Sequence, residues 1–179
     1  MKKQPAIFLD RDDTLNIDVR YTYRVSDFRW VQGAPDALRL FSEAGLDIFI
    51  VTNQGGIGRG LFTESDMHSF NNHLIAEAAI LGGHIKDVAF CPHHPKAVTK
   101  ALLTPCNCRK PGHKMISSLA EKWSLDLASS VMIGDRESDV AAGKAAGCHA
   151  YLFDGTDLHE LAKHVVAKHY KNLKTLTEG

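Results

Sequence analysis

What this chain lacks narrows the field first. No stretch approaches the ~20 consecutive apolar residues of a membrane-crossing helix. The apolar run behind the two lysines of MKKQPAIFLD stops at Asp10, too early for a secretory signal. Net charge is also missing: 21 acidic residues balance 21 basic ones, so no overall field draws the protein to nucleic acid or an anionic membrane. Cysteines are few and badly spread for a disulfide framework, because three of the four (Cys91, Cys106 and Cys108) fall in one stretch. There are no internal repeats and no Ser- or Pro-rich linkers, and 179 residues with 44% hydrophobic content suit one domain over 1–179. The expectation is a monomeric, cytoplasmic protein with no nucleic-acid or membrane partner, whose charge-driven chemistry is local.

What is present is an alternation of strand-length apolar runs with helical periodicity, the pattern of parallel strands joined by crossover helices. AIFL (6–9), LDIFIVT (46–52), KDVAFC (86–91), SVMIG (130–134) and HAYLF (149–153) are rich in β-branched or aromatic residues, and their near-continuous apolarity predicts strands buried on both faces. Helix ends are readable between them. Pro35 fits a first turn and Gly45 a close, Thr63 with Asp66 makes a capping box, and Gly82 with Gly83 stops that second helix. A third helix is predicted over 115–123, and a fourth, ESDVAAGKAAG, ends at Gly147. HVVAKHYKNL (164–173) is left open between strand-then-helix and one helix.

Residues 10–34 and 91–110 show no periodicity, and unstructured stretches of that length in a compact domain are usually functional. In an open parallel sheet, ligands gather beyond the carboxyl ends of the strands. There the first strand delivers Asp10 and Asp12 of FLDRDDTLN, the second Thr52 and Asn53, and the fourth Asp135 and Asp139 of GDRESD, while Arg109 and Lys110 follow the third. Clustered carboxylates, a hydroxyl and two cations facing one crevice describe a site for a hard cation and a phosphate. Each residue also has a plain structural alternative. A strand-ending Asp is often a turn former, Thr52 a strand residue, Asp139 a helix cap and Lys110 a solvated lysine.

DRDDT (10–14), VTN (51–53), CRKP (108–111) and GD (134–135) together resemble, in order and spacing, the four motifs of the haloacid dehalogenase superfamily of phosphohydrolases. The resemblance spans about 5–155. It implies a Rossmann-like three-layer α/β sandwich around a central parallel sheet, and the spacing between motifs leaves no room for a separate cap domain. It also implies an enzyme in which Asp10 is the nucleophile, Asp12 the general acid and base, and Thr52 and Lys110 the holders of the phosphoryl group. Mg²⁺ would be bound by Asp10, Asp135 and the carbonyl oxygen of Asp12. Asp13 departs from the pattern, since the family usually has Gly there. Asp tolerates the left-handed backbone at a cost of order 1 kcal/mol, and its added charge is expected to raise the pKa of Asp12.

The stretch CPHHPKAVTKALLTPCNCRKP holds a C-x-H and, twelve residues on, a C-x-C. Such a ligand set favours tetrahedral zinc with no open position, hence a structural ion stapling the 91–110 loop. The spacing leaves His93 and His94 even as the fourth ligand beside Cys91, Cys106 and Cys108. Similarity to the heptose bisphosphate phosphatase and histidinol phosphatase branch of the superfamily favours His93. Cys148 reads as an ordinary buried residue.

Within that branch, FLDRD, YTYRVSDF, VTNQGGIGRG and the cysteine loop most resemble the heptose-1,7-bisphosphate 7-phosphatases, although DVRY (18–21) has Arg20 where these usually carry glycine. The resemblance implies a sugar phosphate substrate whose 7-phosphate is removed in making lipopolysaccharide heptose. The substrate would be read by Arg11, Asp18, Val19, Arg20, Tyr21, Asn53, Gln54, Gly55 and Arg109, with Arg109 at the far phosphate. A histidinol-phosphate phosphatase is the second reading, and a zinc-stapled binding module inactivated through Asp13 the third. Lys96, Lys100 and Lys114 near the cysteine loop are too scattered, without aromatics between them, to form a nucleic-acid platform.

Overall fold

A computed structural model describes residues 3–171. Its elements run β1 (Ala6–Leu9), α1 (Ala34–Glu43), β2 (Asp47–Asn53), α2 (Gly55–Gly58), α3 (Glu64–Ile80), β3 (Ile85–Cys91), α4 (Lys100–Leu103), α5 (Lys114–Trp123), β4 (Val131–Gly134), α6 (Glu137–Ala146), β5 (His149–Leu152) and α7 (Leu158–His169). The five strands form one parallel sheet in the order β3-β2-β1-β4-β5.

Alternation along the central strands sorts side chains to two faces. Ile7 and Leu9 of β1, Ile48 and Ile50 of β2, and Val131 and Ile133 of β4 meet Leu38 and Phe41 of α1, Phe70 and Leu74 of α3, and Ala162 and Val165 of α7. Phe8, Phe49, Val51 and Met132 point the other way, onto Met115, Ile116 and Leu119 of α5 and Ala142 of α6. The result is the three-layer sandwich expected.

Helix ends follow the sequence signals. Thr63 and Asp66 close a reciprocal capping box at α3. Gly82 and Gly147 take the left-handed conformation that ends α3 and α6. Two expectations need correction. The edge strands β3 and β5 are only partly buried, because each has a neighbour on one side alone and helices cover them incompletely. The single turns α2 and α4 were not foreseen, since four residues carry no periodicity. In the open C-terminal segment, the part up to His169 is helix, while residues 172 and 173, like residues 1 and 2 of the N-terminal stretch, lie outside those described. Among the described residues no helix is long and apolar enough to cross a membrane.

From β1 the chain steps to β2 and β3 on one side, then crosses to β4 and β5 on the other, so the strand order reverses between β1 and β4. A crevice opens at such a switch point. Asp10 lies there, its amide donating to Ile133 O at 2.9 Å across the gap. The 10–33 segment doubles back over the crevice: Ile17 N donates to Arg29 O at 2.9 Å and Val31 N to Leu15 O at 2.9 Å.

Candidate active site

Three stretches distant in sequence converge on one buried ammonium group. Lys110 Nζ lies 2.7 Å from Asp10 Oδ1 and 2.6 Å from Asp139 Oδ1, and donates to Val51 O at 2.8 Å. A lysine has three protons, and these partners use all of them. Burial alone would lower the Lys110 pKa, but Asp10 and Asp139 outweigh it and hold the group above the ordinary lysine range. The backbone of Lys110 is fixed as well: its amide donates to Asn53 Oδ1 at 2.9 Å and its carbonyl accepts from Asn53 Nδ2 at 3.2 Å, tying the CRKP turn to the end of β2. The surface-lysine alternative is thereby removed.

Asp10 Oδ1 also accepts the Arg11 amide at 2.8 Å, while Oδ2 takes no hydrogen bond among the described residues. Burial pushes the Asp10 carboxyl above the usual range; Lys110 pulls against this and the charge of Asp139 adds to it. Asp135 is raised to about 6, by burial first and then by Asp10 and Asp139. Its Oδ1 is buried with no partner. Asp139 both closes the start of α6, accepting Arg136 N at 3.0 Å through Oδ2, and holds Lys110. Its carboxylate reaches that spot because residue 134 is glycine: a Cβ there would lie 2.3 Å from Asp139 Oδ2.

Asp10, Asp135 and Asp139 each bring a carboxylate oxygen within 4.8 Å of the others. These three carboxylates outnumber the one buried cation among them, Lys110, while Arg136 Nε stands 3.6 Å from Asp135 Oδ2, and such an oxygen donor set suits a hard divalent ion. The orphaned Asp135 Oδ1 is a ready ligand for it. The Asp12 carboxylate stays out of this group, held by Arg11, Asn16 and Gln54. Its pKa is raised by burial first, with Arg11 opposing and Asp10 and Asp18 adding. The expected influence of Asp13 is not among these causes, since Asp13 turns aside to accept Asp18 N at 2.9 Å.

Above this floor lies a cavity of about 450 Å³ lined by Asp10, Asp12, Asp18, Arg20, Tyr21, Asn53, Gln54, Gly55, Arg109 and Lys110, all foreseen, and by Asp139. His94, Arg136 and Ser138 line it too and were missed; each neighbours a motif residue, but position in sequence does not say which neighbour faces inward. Two foreseen substrate contacts lie elsewhere. Val19 is 60% exposed off the cavity, its amide turned to Thr22 Oγ1 at 2.8 Å. Arg11 is fully buried behind the site. Thr52 is buried beneath the cavity, with its hydroxyl accepting Gln54 Nε2 at 2.9 Å. Arg109 Nη1 donates to His93 O at 3.0 Å, and Gly55 lets the guanidinium approach, since a Cβ there would sit 3.1 Å from Nη1.

The cysteine loop gathers as its ligand pattern requires. Cys91, Cys106, Cys108 and His93 Nδ1 form one cluster, with separations of 3.5 Å (Cys91–Cys106), 3.6 Å (Cys91–His93), 3.4 Å (Cys108–His93), 3.0 Å (Cys106–Cys108) and 2.8 Å (Cys91–Cys108). Two thiolates about 2.3 Å from a tetrahedral ion stand roughly 3.8 Å apart, so slight spreading admits zinc. Burial and the Cys108 thiol push the Cys91 thiol far above the ordinary range, whereas at Cys106 burial is outweighed by hydrogen bonds from Cys108 and the Arg109 backbone, which hold the thiol below it. His93, not His94, groups with the three cysteines, while His94 accepts Lys96 N at 3.0 Å through Nδ1. Cys148 is buried, as expected.

Residues 107–178 match a family model described as "HAD-hyrolase-like". A D-glycero-beta-D-manno-heptose-1,7-bisphosphate 7-phosphatase of Rhodopseudomonas palustris is 40% identical over 92% of this chain and 91% of its own length. The protein of the same name from Escherichia coli K12 is 37% identical over 81% and 76%. A D,D-heptose 1,7-bisphosphate phosphatase from B. bronchiseptica, solved with magnesium and phosphate, superposes with a TM-score of 0.80 at 26% identity, covering 92% of this chain and 99% of that one.

Proposed function

We propose, from the premise that this chain belongs to the haloacid-dehalogenase-like hydrolases and within them to the heptose-1,7-bisphosphate 7-phosphatases, that it removes the 7-phosphate of D-glycero-D-manno-heptose 1,7-bisphosphate, as a cytoplasmic enzyme working as a monomer. The observation that carries this reading is the meeting of Asp10, Lys110 and Asp139 at the strand-order reversal, beneath a cavity rimmed by Arg20, Arg109 and Arg136.

In the first step an oxygen of Asp10 forms a bond to phosphorus as the bond from phosphorus to the sugar oxygen breaks, and Asp12 gives that oxygen its proton. The oxygen free for attack is Oδ2, because Oδ1 is occupied by Lys110 and the Arg11 amide. In the second step Asp12 takes a proton from water, which adds to the phosphorus of the aspartyl-phosphate and restores Asp10. Thr52 accepts from Gln54 and so keeps its own proton to donate to a phosphoryl oxygen. Lys110 fixes Asp10 and offsets charge on the transferring group. Asp10 and Asp135, with the carbonyl oxygen of Asp12, would hold Mg²⁺, which would supply positive charge against the phosphoryl oxygens. Asp139 braces Lys110 beside it.

Arg109, Arg20 and Arg136 give the outer cavity the charge to meet the second phosphate, with the planar Arg109 guanidinium best suited to pair it. His94 contributes as a neutral group, since burial first and then Arg109 and Arg59 hold it below the ordinary histidine range. Cys91, His93, Cys106 and Cys108 would hold a structural zinc ion, and that ligation would order the loop presenting Arg109 and Lys110.

Phosphate release from a panel of phosphate esters with Mg²⁺ tests the substrate. The expected result is a higher kcat/KM for the heptose bisphosphate than for histidinol phosphate or a sugar monophosphate, with one phosphate released per sugar. Equal rates on the bisphosphate and histidinol phosphate would overturn the assignment.

A further inference from the structure

Arg11 sits between two aspartates of the site yet touches no part of the cavity. Its guanidinium is committed throughout. Nε donates to Asp12 Oδ1 at 3.0 Å, and Nη2 reaches Asp12 Oδ1 at 2.9 Å, Asp12 Oδ2 at 3.1 Å and Thr22 O at 3.0 Å. Nη1 donates to Asn71 Oδ1 at 2.9 Å, and the group lies over the Phe70 ring, 4.7 Å from its centroid. Asn71 and Phe70 are buried residues of α3, so the contact runs from the carboxylate to a helix packed on the sheet.

A buried arginine–carboxylate pair is a poor source of stability, because desolvating two charges offsets most of their attraction. It is a good source of direction: a planar fork fixes both the position and the plane of the carboxylate, which a single point charge cannot do. Gln54 Nε2, donating to Asp12 Oδ2 at 2.8 Å, and Asn16 Nδ2, donating to Oδ1 at 3.2 Å, complete the frame.

We propose that Arg11 is a positioning residue for the proton transfer to the leaving group, holding the Asp12 carboxylate in its productive orientation and bracing it through Asn71 against α3. This rests on the reading of Asp12 as the general acid and gives that acid a dedicated support. In the first step the bond from phosphorus to the leaving oxygen breaks and its electron pair takes the proton from Asp12. A very weakly basic leaving group departs without that proton; a strongly basic one cannot. Misplacing Asp12 therefore harms reactions in proportion to leaving-group basicity, whereas general loosening of the fold harms all esters alike.

Substituted phenyl phosphates of similar size but different phenol acidity separate these cases, because kcat/KM reports events only up to departure of the phenol. Arg11→Lys is expected to lose about 100-fold on phenyl phosphate and less than about tenfold on 2,4-dinitrophenyl phosphate. Asn71→Ala, which removes the brace alone, is expected to show the same tilt more weakly, and it decides the matter should the Arg11 variant fail to fold. Asp12→Asn serves as reference and is expected to tilt most. Equal losses on both esters for Arg11→Lys and Asn71→Ala, beside a tilted Asp12→Asn, would overturn the role of Arg11 alone. An untilted Asp12→Asn would overturn the acid reading, and the role of Arg11 with it.

Discussion

Asp13 has a φ of 59°, the left-handed conformation that glycine takes freely and that costs most other residues about 1–2 kcal/mol. Its side chain is also put to use. Oδ1 accepts the Asp18 amide, and Asp18 Oδ1 in turn accepts Thr22 N at 2.8 Å and Thr22 Oγ1 at 2.9 Å, closing the loop that carries Arg20 and Tyr21 to the cavity. The backbone cost is offset locally. Asp13→Gly is accordingly expected to change unfolding free energy by less than about 1 kcal/mol and kcat by less than about threefold, the scale of one partly buried hydrogen bond. Asp13→Ala keeps the strain and loses the acceptor, and should raise KM for the sugar substrate. Chemical denaturation and steady-state kinetics check both. A large gain in kcat for Asp13→Gly would mean that Asp13 had crippled the site. At this scale the sequence was legible where chemistry dictated a residue type, as at Asp10, Lys110 and Asp135. It was not legible for Arg11 and Val19, because in a loop without periodicity neither neighbour of a motif residue reveals its direction.

Among the elements, the five strands were readable because each is a mainly apolar run cut off by Asp, Asn, Gly or, after Cys91, by Pro92. The turns α2 and α4 were not, yet α2 is where the glycine-rich stretch meets the cysteine loop. Gly58 O accepts Val98 N at 2.8 Å, and a Cβ on Gly58 would lie 2.5 Å from Pro92 O. The cysteine cluster and the turn that carries Lys110 are thus joined through Cys108, Arg109 and Lys110 on one side and α2 on the other. Cys106→Ser is expected to lower the zinc content measured by elemental analysis from one ion per chain to near zero. It should also lower the unfolding temperature by several degrees, as about 1–2 kcal/mol would in a chain of this size, and reduce kcat/KM. Full activity in a folded, zinc-free protein would remove the loop from the functional account.

For the whole molecule, the parallel sheet concentrates negative charge beyond the carboxyl ends of its central strands, β1 and β4. Burial and mutual repulsion raise the carboxyls of Asp10, Asp12 and Asp135, the last to about 6. Raised acid groups bind protons more tightly in the folded state than in the unfolded one. Without metal, stability from Asp135 therefore increases as pH falls from about 6 toward the unfolded carboxyl value near 4. A divalent ion competes with those protons, so the rise in unfolding temperature produced by Mg²⁺ should be larger at pH 7.5 than at pH 5. Differential scanning fluorimetry at both pH values measures this, and equal shifts would contradict a carboxylate metal site at the switch point.

The most direct test of the chemistry is the turnover of Asp10→Asn on D-glycero-D-manno-heptose 1,7-bisphosphate with Mg²⁺. Removing the nucleophile is expected to lower kcat by at least about 1000-fold while the protein stays folded. A variant turning over within about tenfold of the wild type, a difference of only about 1.4 kcal/mol in the barrier, would show that no bond from residue 10 to phosphorus is needed.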